Sequence, residues 1–554
     1  MIYKYILKRI NAIKGLLARK PKLSTTRLSL ATALFLTGFS NDAFWQRVLN
    51  VFDQYTLYNY LFVGSVFVLL TLFLNILLSF FSFKYVLKPL IITLLLTASI
   101  AGYFMDSYGT MIDANMIQNI METDTHEAIE LLNLRLFYYL TVWGLLPALF
   151  VYNTEIQYQV ISREALSKLK VILISSIALV VVVAPFYQDY ASLVRNNREL
   201  RHLINPINTL HAFHKYLNQS LGSPDTTVVA IEHDAKLASL WQQRGKKSLV
   251  ILVLGETARA QSFSLNGYGR KTNPLLGHEN IVNYTNVYSC GTSTATSVPC
   301  MFSHMTQDTY SDSKAKHSED LLDVLAHAGI EVLWRDNNSG CKGVCNRVNG
   351  ENMATLHVPE LCGDKECFDM ILLHKLQDIV NHADNDMFIV LHQKGSHGPA
   401  YYLRYPKEFE VFKPACQTNQ LQACRQDEVA NAYDNTIVYT DYFLEQVIGF
   451  LKKNEKRFNA SMIYVSDHGE SLGENNIYLH GLPYLIAPEE QTHVPFILWL
   501  SNGFEKTEHI NHDCLKRQSD NKYSHDNLFH SVLGLMEVKT NVYNAELDMF
   551  SKCR

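Results

Sequence analysis

Two apolar runs beyond residue 246 of the 554-residue chain end in groups that bind metals or move protons. SLVILVLGE closes on Glu256, and SMIYVSDHGE carries Asp467-His468. A buried carboxylate costs several kcal/mol unless it is paired. Carboxylates at two strand ends, with an imidazole beside one of them, therefore point to a cation held between them. Local pairing is the other reading, with Asp467 capping a following helix and Glu256 meeting Arg259. Between the two runs lies Ser289-Cys290-Gly291-Thr292-Ser293-Thr294-Ala295-Thr296-Ser297-Val298-Pro299-Cys300, a hydroxyl cluster bracketed by cysteines. That composition suits a solvated turn. It also suits a hydroxyl at a helix N-terminus, where the dipole and free N–H groups favour an alkoxide and a phosphate. A neutral hydroxyl is a weak nucleophile, and coordination to Zn²⁺ is a direct means of deprotonating it.

Such groups need a frame. From Lys246 onward, short apolar runs (MFIVLHQ and VPFILWL as well as the two above) alternate with helical segments such as SEDLLDVLAHAG and TIVYTDYFLEQVIGFLKK. The alternation predicts an α/β/α hydrolase-like domain over 246–554 with a mostly parallel central sheet. In open sheets of this kind ligands gather beyond the carboxyl ends of the strands, where Glu256 and Asp467 fall. All ten cysteines lie beyond residue 289. An even count with spacings such as Cys341…Cys345 and Cys362…Cys367 suits disulfide clips in an oxidising compartment, with a Cys₄ zinc ribbon as the alternative. Neighbour pairing of the first eight leaves Cys514 with Cys553, although spacing alone does not fix connectivity.

The first half reads as a different solvent. Charged residues are only 18% of the chain and apolar residues 48%, and charge-free runs lie between Arg27 and Asp42, Asp53 and Lys84, Lys88 and Asp106, Arg135 and Glu155, and Lys170 and Asp189. Five membrane spans are predicted over 1–188, the first reaching full length only by extending through Phe44 and Trp45. Residues 1–27 carry eight Lys or Arg and no acid, whereas Asp106–Asn133 holds six acids and no base. The positive-inside rule then puts the N-terminus in the cytoplasm and everything after Asp189 across the membrane. Residues 189–245 read as interfacial helices, interrupted at Pro206, and a linker. The formal balance of 49 basic against 53 acidic residues, −4, argues against a nucleic-acid partner, and the apolar fraction against disorder.

GET, CGTSTATSVPCMFS, HQKGSHGP, YVSDHGESLGE and IYLHG occur in the order and approximate spacing of the lipid A phosphoethanolamine transferases, which include the mobile colistin-resistance enzymes. The chain resembles that family over nearly its whole length. The resemblance implies an alkaline phosphatase- and sulfatase-like fold, with Thr294 as nucleophile and Glu256, Asp467 and His468 completing one tight Zn²⁺ site together with Thr294. It implies that His397 and His480 contact the phosphoryl group, act as acid or base, or hold a second, weaker zinc, and that Lys342 binds substrate. Asn119, Thr123 and Glu127, spaced i, i+4 and i+8, share one helix face and match the family's triplet near the ethanolamine of the donor.

The implied reaction moves phosphoethanolamine from phosphatidylethanolamine to a phosphate of lipid A, by way of a phosphothreonine-type intermediate, in the Gram-negative inner membrane. It releases diacylglycerol and weakens binding of cationic peptides such as polymyxins. A monomer is expected. The same metal groups would also serve a phosphoglycerol transferase, a phosphatase or a transferase acting on a lipopolysaccharide core sugar, and a non-catalytic scaffold would keep them for stability alone. A sulfatase would need Cys or Ser where Thr294 stands.

Overall fold

The computed structural model describes residues 20–52, 56–122, 125–221, 228–231, 234–238, 245–363 and 366–554. They form two compact units. The first takes the described residues up to Asp113 together with Leu132–His214, and the second takes Ala114–Leu131 with Lys215–Arg554.

In the first unit, Leu57–Phe80, Leu87–Tyr108, Leu134–Asn153 and Ile161–Asn196 are, among the described residues, four helices long and apolar enough to cross a membrane. The fifth span read from the sequence is where the structure differs. Its apolar run forms a helix of only 15 residues, Thr25–Phe39, about 22 Å at the usual rise and short of the ~30 Å hydrocarbon core. Asn41 ends it by turning its side chain to the backbone. Its Nδ2 donates to the carbonyls of Leu36 and Asn205, both at 2.8 Å, while its Oδ1 accepts the Asn205 N–H at 2.7 Å. Asp42–Leu49 then starts a separate helix. On Ile161–Asn196, Leu173, Ile174, Ile177, Val180 and Val181 are all more than half exposed, an apolar surface that water would penalise and lipid would not. The stretch interrupted at Pro206 forms Tyr187–Asn196, a 3₁₀ segment Arg198–Leu203 and Ile207–Leu221. The linker at 222–227 lies outside the described residues.

The second unit is organised by one eight-stranded sheet of β1 (Lys247–Gly255), β2 (Ile281–Tyr288), β3 (Glu331–Asp336), β4 (Asn349–Asn352), β5 (Met387–His392), β6 (Phe458–Ser466), β7 (His493–Leu500) and β8 (Tyr523–Ser524). Their order is β8-β2-β7-β6-β1-β5-β3-β4. The five strands from β6 to β4 are mutually parallel; β7 runs antiparallel to both β6 and β2. Both faces are covered, which is why β1 is apolar almost throughout. Val250, Leu252 and Leu254 enter one core with Val298, Met301 and Phe529, while Leu249, Ile251 and Val253 enter the other with Phe443, Val447 and Leu451 of the long helix Gln426–Asn454.

The cysteines pair as sequence neighbours: Cys290–Cys300, Cys341–Cys345, Cys362–Cys367 and Cys416–Cys424. Cys514–Cys553 closes the longest loop, with a sequence separation of 39. Loop-closure entropy makes that last bridge the most stabilising, about 4 kcal/mol against about 2 kcal/mol for the shortest loops. Replacing Cys514 and Cys553 by serine should therefore lower the urea unfolding midpoint of the full chain more than removal of Cys341–Cys345. Equal losses would contradict this ranking.

Candidate active site

β1 and β6 are parallel neighbours, and Gly255 lies opposite Ser466. The residues that follow, Glu256 and Asp467, consequently emerge side by side although far apart in sequence. With His468 they form a fully buried group whose candidate ligand atoms lie within 4.8 Å of one another. His468 Nε2 stands 3.4 Å from Glu256 Oε1 and 3.3 Å from Asp467 Oδ2. The tautomer follows from its other nitrogen, which meets the Gly469 carbonyl at 2.9 Å. A carbonyl only accepts, so Nδ1 carries the proton and Nε2 turns a lone pair toward the carboxylates. Burial, with His480 nearby, pushes the His468 pKa down to about 4 and favours that neutral form.

The hydroxyl cluster folds so that Thr294 is the first residue of the helix Thr294–Met301. Gly291 makes the tight approach possible: a Cβ there would lie 2.7 Å from Ser297 Oγ and 3.0 Å from its backbone nitrogen. The Cys290–Cys300 bridge spans the segment. Thr294 Oγ1 is buried, 3.1 Å and 3.2 Å from the two Glu256 oxygens and 3.4 Å from His468 Nε2. Asp467 Oδ1 accepts the backbone N–H of Thr257 and His468, at 3.2 Å and 2.7 Å, whereas Asp467 Oδ2 is buried with no hydrogen-bond partner. Two carboxylates, an imidazole lone pair and a hydroxyl around one orphaned buried oxygen fit a divalent cation of the zinc type. Burial raises the Asp467 pKa to about 6.

The local-pairing alternatives are absent. Arg259 bonds Glu474 at 2.6 Å rather than Glu256, and Asp467 precedes no helix. Lys342, in the left-handed region at φ 51°, donates to Ser339 Oγ and the Ser339 carbonyl and lies 3.5 Å from the Glu122 carbonyl, beside a cavity of about 480 Å³. Asn119 lies on the helix Ala114–Glu122, part of this same unit. Thr123 and the Glu127 side chain lie outside the described residues. The His397 ring is 5.5 Å from that of His480, which in turn is 4.4 Å from that of His468.

Sequence reasoning missed two supporting residues. Asn338 donates to Glu256 Oε2 at 2.7 Å and to the Gln393 carbonyl at 2.9 Å, orienting the carboxylate. It follows the end of β3, so the rule that singled out Glu256 also reaches it. Glu470 accepts the Tyr401 hydroxyl at 2.7 Å and contacts His480 Nδ1 at 2.7 Å, leaving His480 Nε2 as its other ring nitrogen. It stands inside the DHGESLGE motif without a chemical signature of its own.

Burial pushes the Glu470 pKa from its ordinary 4.5 up to about 8, against the Tyr401 hydrogen bond and His468. The folded protein therefore holds a proton that the unfolded chain has already released, and stability falls as pH rises from about 4.5 to about 8. Glu470→Gln removes this dependence. Its stability relative to the parent should rise by on the order of 3 kcal/mol between pH 5 and pH 8, read from unfolding midpoints at both pH values. A constant difference would mean that Glu470 is ionised throughout.

Fold and site together define a membrane-embedded protein whose catalytic half is of the sulfatase class; a sulfatase family profile matches residues 248–538. A profile for phosphoethanolamine transferase EptA/EptB matches residues 70–221. The chain is 42% identical over 541 residues to phosphoethanolamine transferase EptA of Escherichia coli K12, covering 97% of this chain and 98% of that one. It is 39% identical over 487 residues to phosphatidylethanolamine transferase Mcr-1 of Escherichia coli, covering 85% and 89%. The solved integral membrane lipooligosaccharide phosphoethanolamine transferase A of Neisseria meningitidis superposes with a TM-score of 0.93 at 36% identity, covering 96% of this chain and 100% of that one. The chain belongs to the EptA/Mcr family of phosphoethanolamine transferases. It is a multi-pass protein of the Gram-negative inner membrane with its catalytic domain in the periplasm.

Proposed function

We propose that this enzyme takes phosphoethanolamine from phosphatidylethanolamine, holds it on Thr294 and passes it to a phosphate of lipid A. The observation that carries the reading is the position of Thr294 Oγ1, buried within 3.1–3.4 Å of Glu256 and His468 in the group that also holds the unpartnered Oδ2 of Asp467. Glu256, Asp467, His468 and Thr294 would hold one Zn²⁺. When bound, it supplies positive charge that lowers the hydroxyl pKa and offsets charge developing on phosphorus oxygens.

In the first step Thr294 Oγ1 attacks phosphorus of the donor while the bond to the diacylglycerol oxygen breaks. Glu256 accepts the threonine proton in the geometry described. His480, oriented through Nδ1 by Glu470, supplies a proton to the departing oxygen, with His397 across the same opening. In the second step a lipid A phosphate hydroxyl gives its proton to His480 and its oxygen attacks the same phosphorus, while the bond to Thr294 breaks and the threonine oxygen retakes the proton from Glu256. Lys342 and Asn119, with Thr123 and Glu127, bind the donor headgroup, whose ammonium suits a carboxylate with amide and hydroxyl neighbours. Both substrates are lipids, so residence in the membrane removes much of the encounter entropy. The added ammonium reduces the negative charge of lipid A and with it the attraction of cationic peptides.

Mass spectrometry of the purified full-length protein after exposure to phosphatidylethanolamine tests this. A phosphoethanolamine adduct on the peptide containing Thr294 is expected. Transfer proceeding at full rate with no adduct under single-turnover conditions would exclude the covalent step.

A further inference from the structure

A second buried histidine, outside the reacting group, ties together the segments that carry it. His525 follows β8, which pairs in parallel with the end of β2 so that Ser524 lies opposite Tyr288. That register delivers the ring beneath the nucleophile loop, and the His525 N–H itself donates to the Tyr288 carbonyl at 2.9 Å. His525 is 1% exposed and both ring nitrogens are used. The backbone N–H of Cys290, four residues before Thr294, meets Nδ1 at 3.3 Å, and Nε2 meets the Ser466 carbonyl at 2.9 Å. A backbone N–H only donates and a carbonyl only accepts, so the ring is the neutral tautomer with its proton on Nε2.

Ser466 extends the connection. Its hydroxyl donates to the His468 carbonyl at 3.0 Å and accepts the N–H of Ala258, two residues beyond Glu256, at 2.9 Å. One continuous chain of buried hydrogen bonds thus runs from the nucleophile loop through His525 and Ser466 to both strand ends. Gln307 reinforces it, its Nε2 donating to the Cys290 carbonyl at 3.0 Å and its backbone N–H to Asp526 Oδ1 at 2.9 Å. Backbone groups of a loop have no strand partner to hold them, and buried ones must be satisfied by a side chain. Here a single imidazole satisfies one on each side.

We infer that His525 is a positioning residue for phosphoryl transfer, fixing the Thr294 loop against the strand ends that carry Glu256, Asp467 and His468. The inference rests on Thr294 as the nucleophile. Burial pushes the His525 pKa down to about 4, which keeps the ring in the tautomer that both bonds require. Misplacement of a reacting group by about 1 Å costs on the order of 10²-fold in rate without disturbing binding remote from the reacting atoms.

The test uses the full-length protein with His525→Asn, which retains an acceptor near the Nδ1 position, and His525→Gln, which retains a donor near the Nε2 position. His525→Phe removes both bonds at similar volume. For the folded fraction, kcat should fall about 10-fold or more in the Asn and Gln variants and about 100-fold in Phe. KM for phosphatidylethanolamine should stay within about threefold, and the phosphoethanolamine adduct on Thr294 should form correspondingly more slowly in single turnover. A residue that only supports folding would lower the unfolding temperature and leave kcat of the folded fraction unchanged. Asn and Gln variants with kcat within about twofold of the parent would overturn the inference, even if the Phe variant fails to fold. Absence of an adduct in the parent protein would instead remove the nucleophile assignment beneath it.

Discussion

Replacing Thr294 by alanine is expected to abolish lipid A modification in a protein that remains folded and membrane-inserted. The hydroxyl is lost together with one methyl group. Alanine is the strongest helix former and suits the first turn of Thr294–Met301, and the vacated position faces Glu256 and His468 rather than the apolar core. Removing a covalent nucleophile costs at least about 10³-fold in kcat, because water must then attack a phosphodiester without the pre-positioned oxygen. Thr294→Ser keeps the oxygen but frees its rotamer, and should retain a measurable fraction of activity with the adduct still forming. Transfer is measured as phosphoethanolamine-modified lipid A per folded enzyme. Undiminished transfer by Thr294→Ala would place the nucleophile elsewhere and favour the scaffold reading of the carboxylate pair.

The ends of the apolar runs made much of this site readable in advance. Glu256 and Asp467-His468 are polar groups where a parallel strand should open onto solvent or ligand, and that signal survives without any knowledge of strand order. What the sequence does not encode locally is adjacency. Only the pairing of β1 with β6, with Gly255 opposite Ser466, brings the two carboxylates together. Asn338 and Glu470 escaped because each acts on another side chain rather than on a ligand, and amide and carboxylate groups in loops are common. The first membrane run misled for a related reason. Its residues are apolar enough for a longer span, yet the helix stops where Asn41 finds Asn205, a partner 164 positions away. The packing of Ala114–Leu131 with the hydrolase-like unit likewise depends on distant contacts, among them the buried pair of Arg404 with Glu130 at 2.6 Å.

Asp467→Asn should separate stability from activity in opposite directions. Asp467 Oδ2 is a buried oxygen without a hydrogen-bond partner, close to a second carboxylate, and burial raises the pKa of its carboxyl group to about 6. At neutral pH the folded state therefore carries a charge that the unfolded chain would solvate, and the stability conferred by the proton on Asp467 is lost as pH rises from about 4 to about 6. The amide is isosteric and uncharged. Relief of a buried charge whose Oδ2 has no hydrogen-bond partner is worth about 1–3 kcal/mol, so the chelator-treated variant should unfold at a higher denaturant concentration than the chelator-treated parent. Adding Zn²⁺ reverses the order. The parent gains RT ln(1 + [L]/Kd), about 2.7 kcal/mol at a hundredfold excess over Kd, while the variant has lost an anionic ligand and gains little. Transfer activity falls by about 10³-fold or more, since the charge that activates the hydroxyl is no longer held. Unfolding curves with chelator and with zinc, beside the transfer assay, decide the matter. A variant less stable than the parent in the absence of metal would mean that Asp467 is a structural carboxylate satisfied by its backbone bonds, and that the site has not been kept at the expense of the fold.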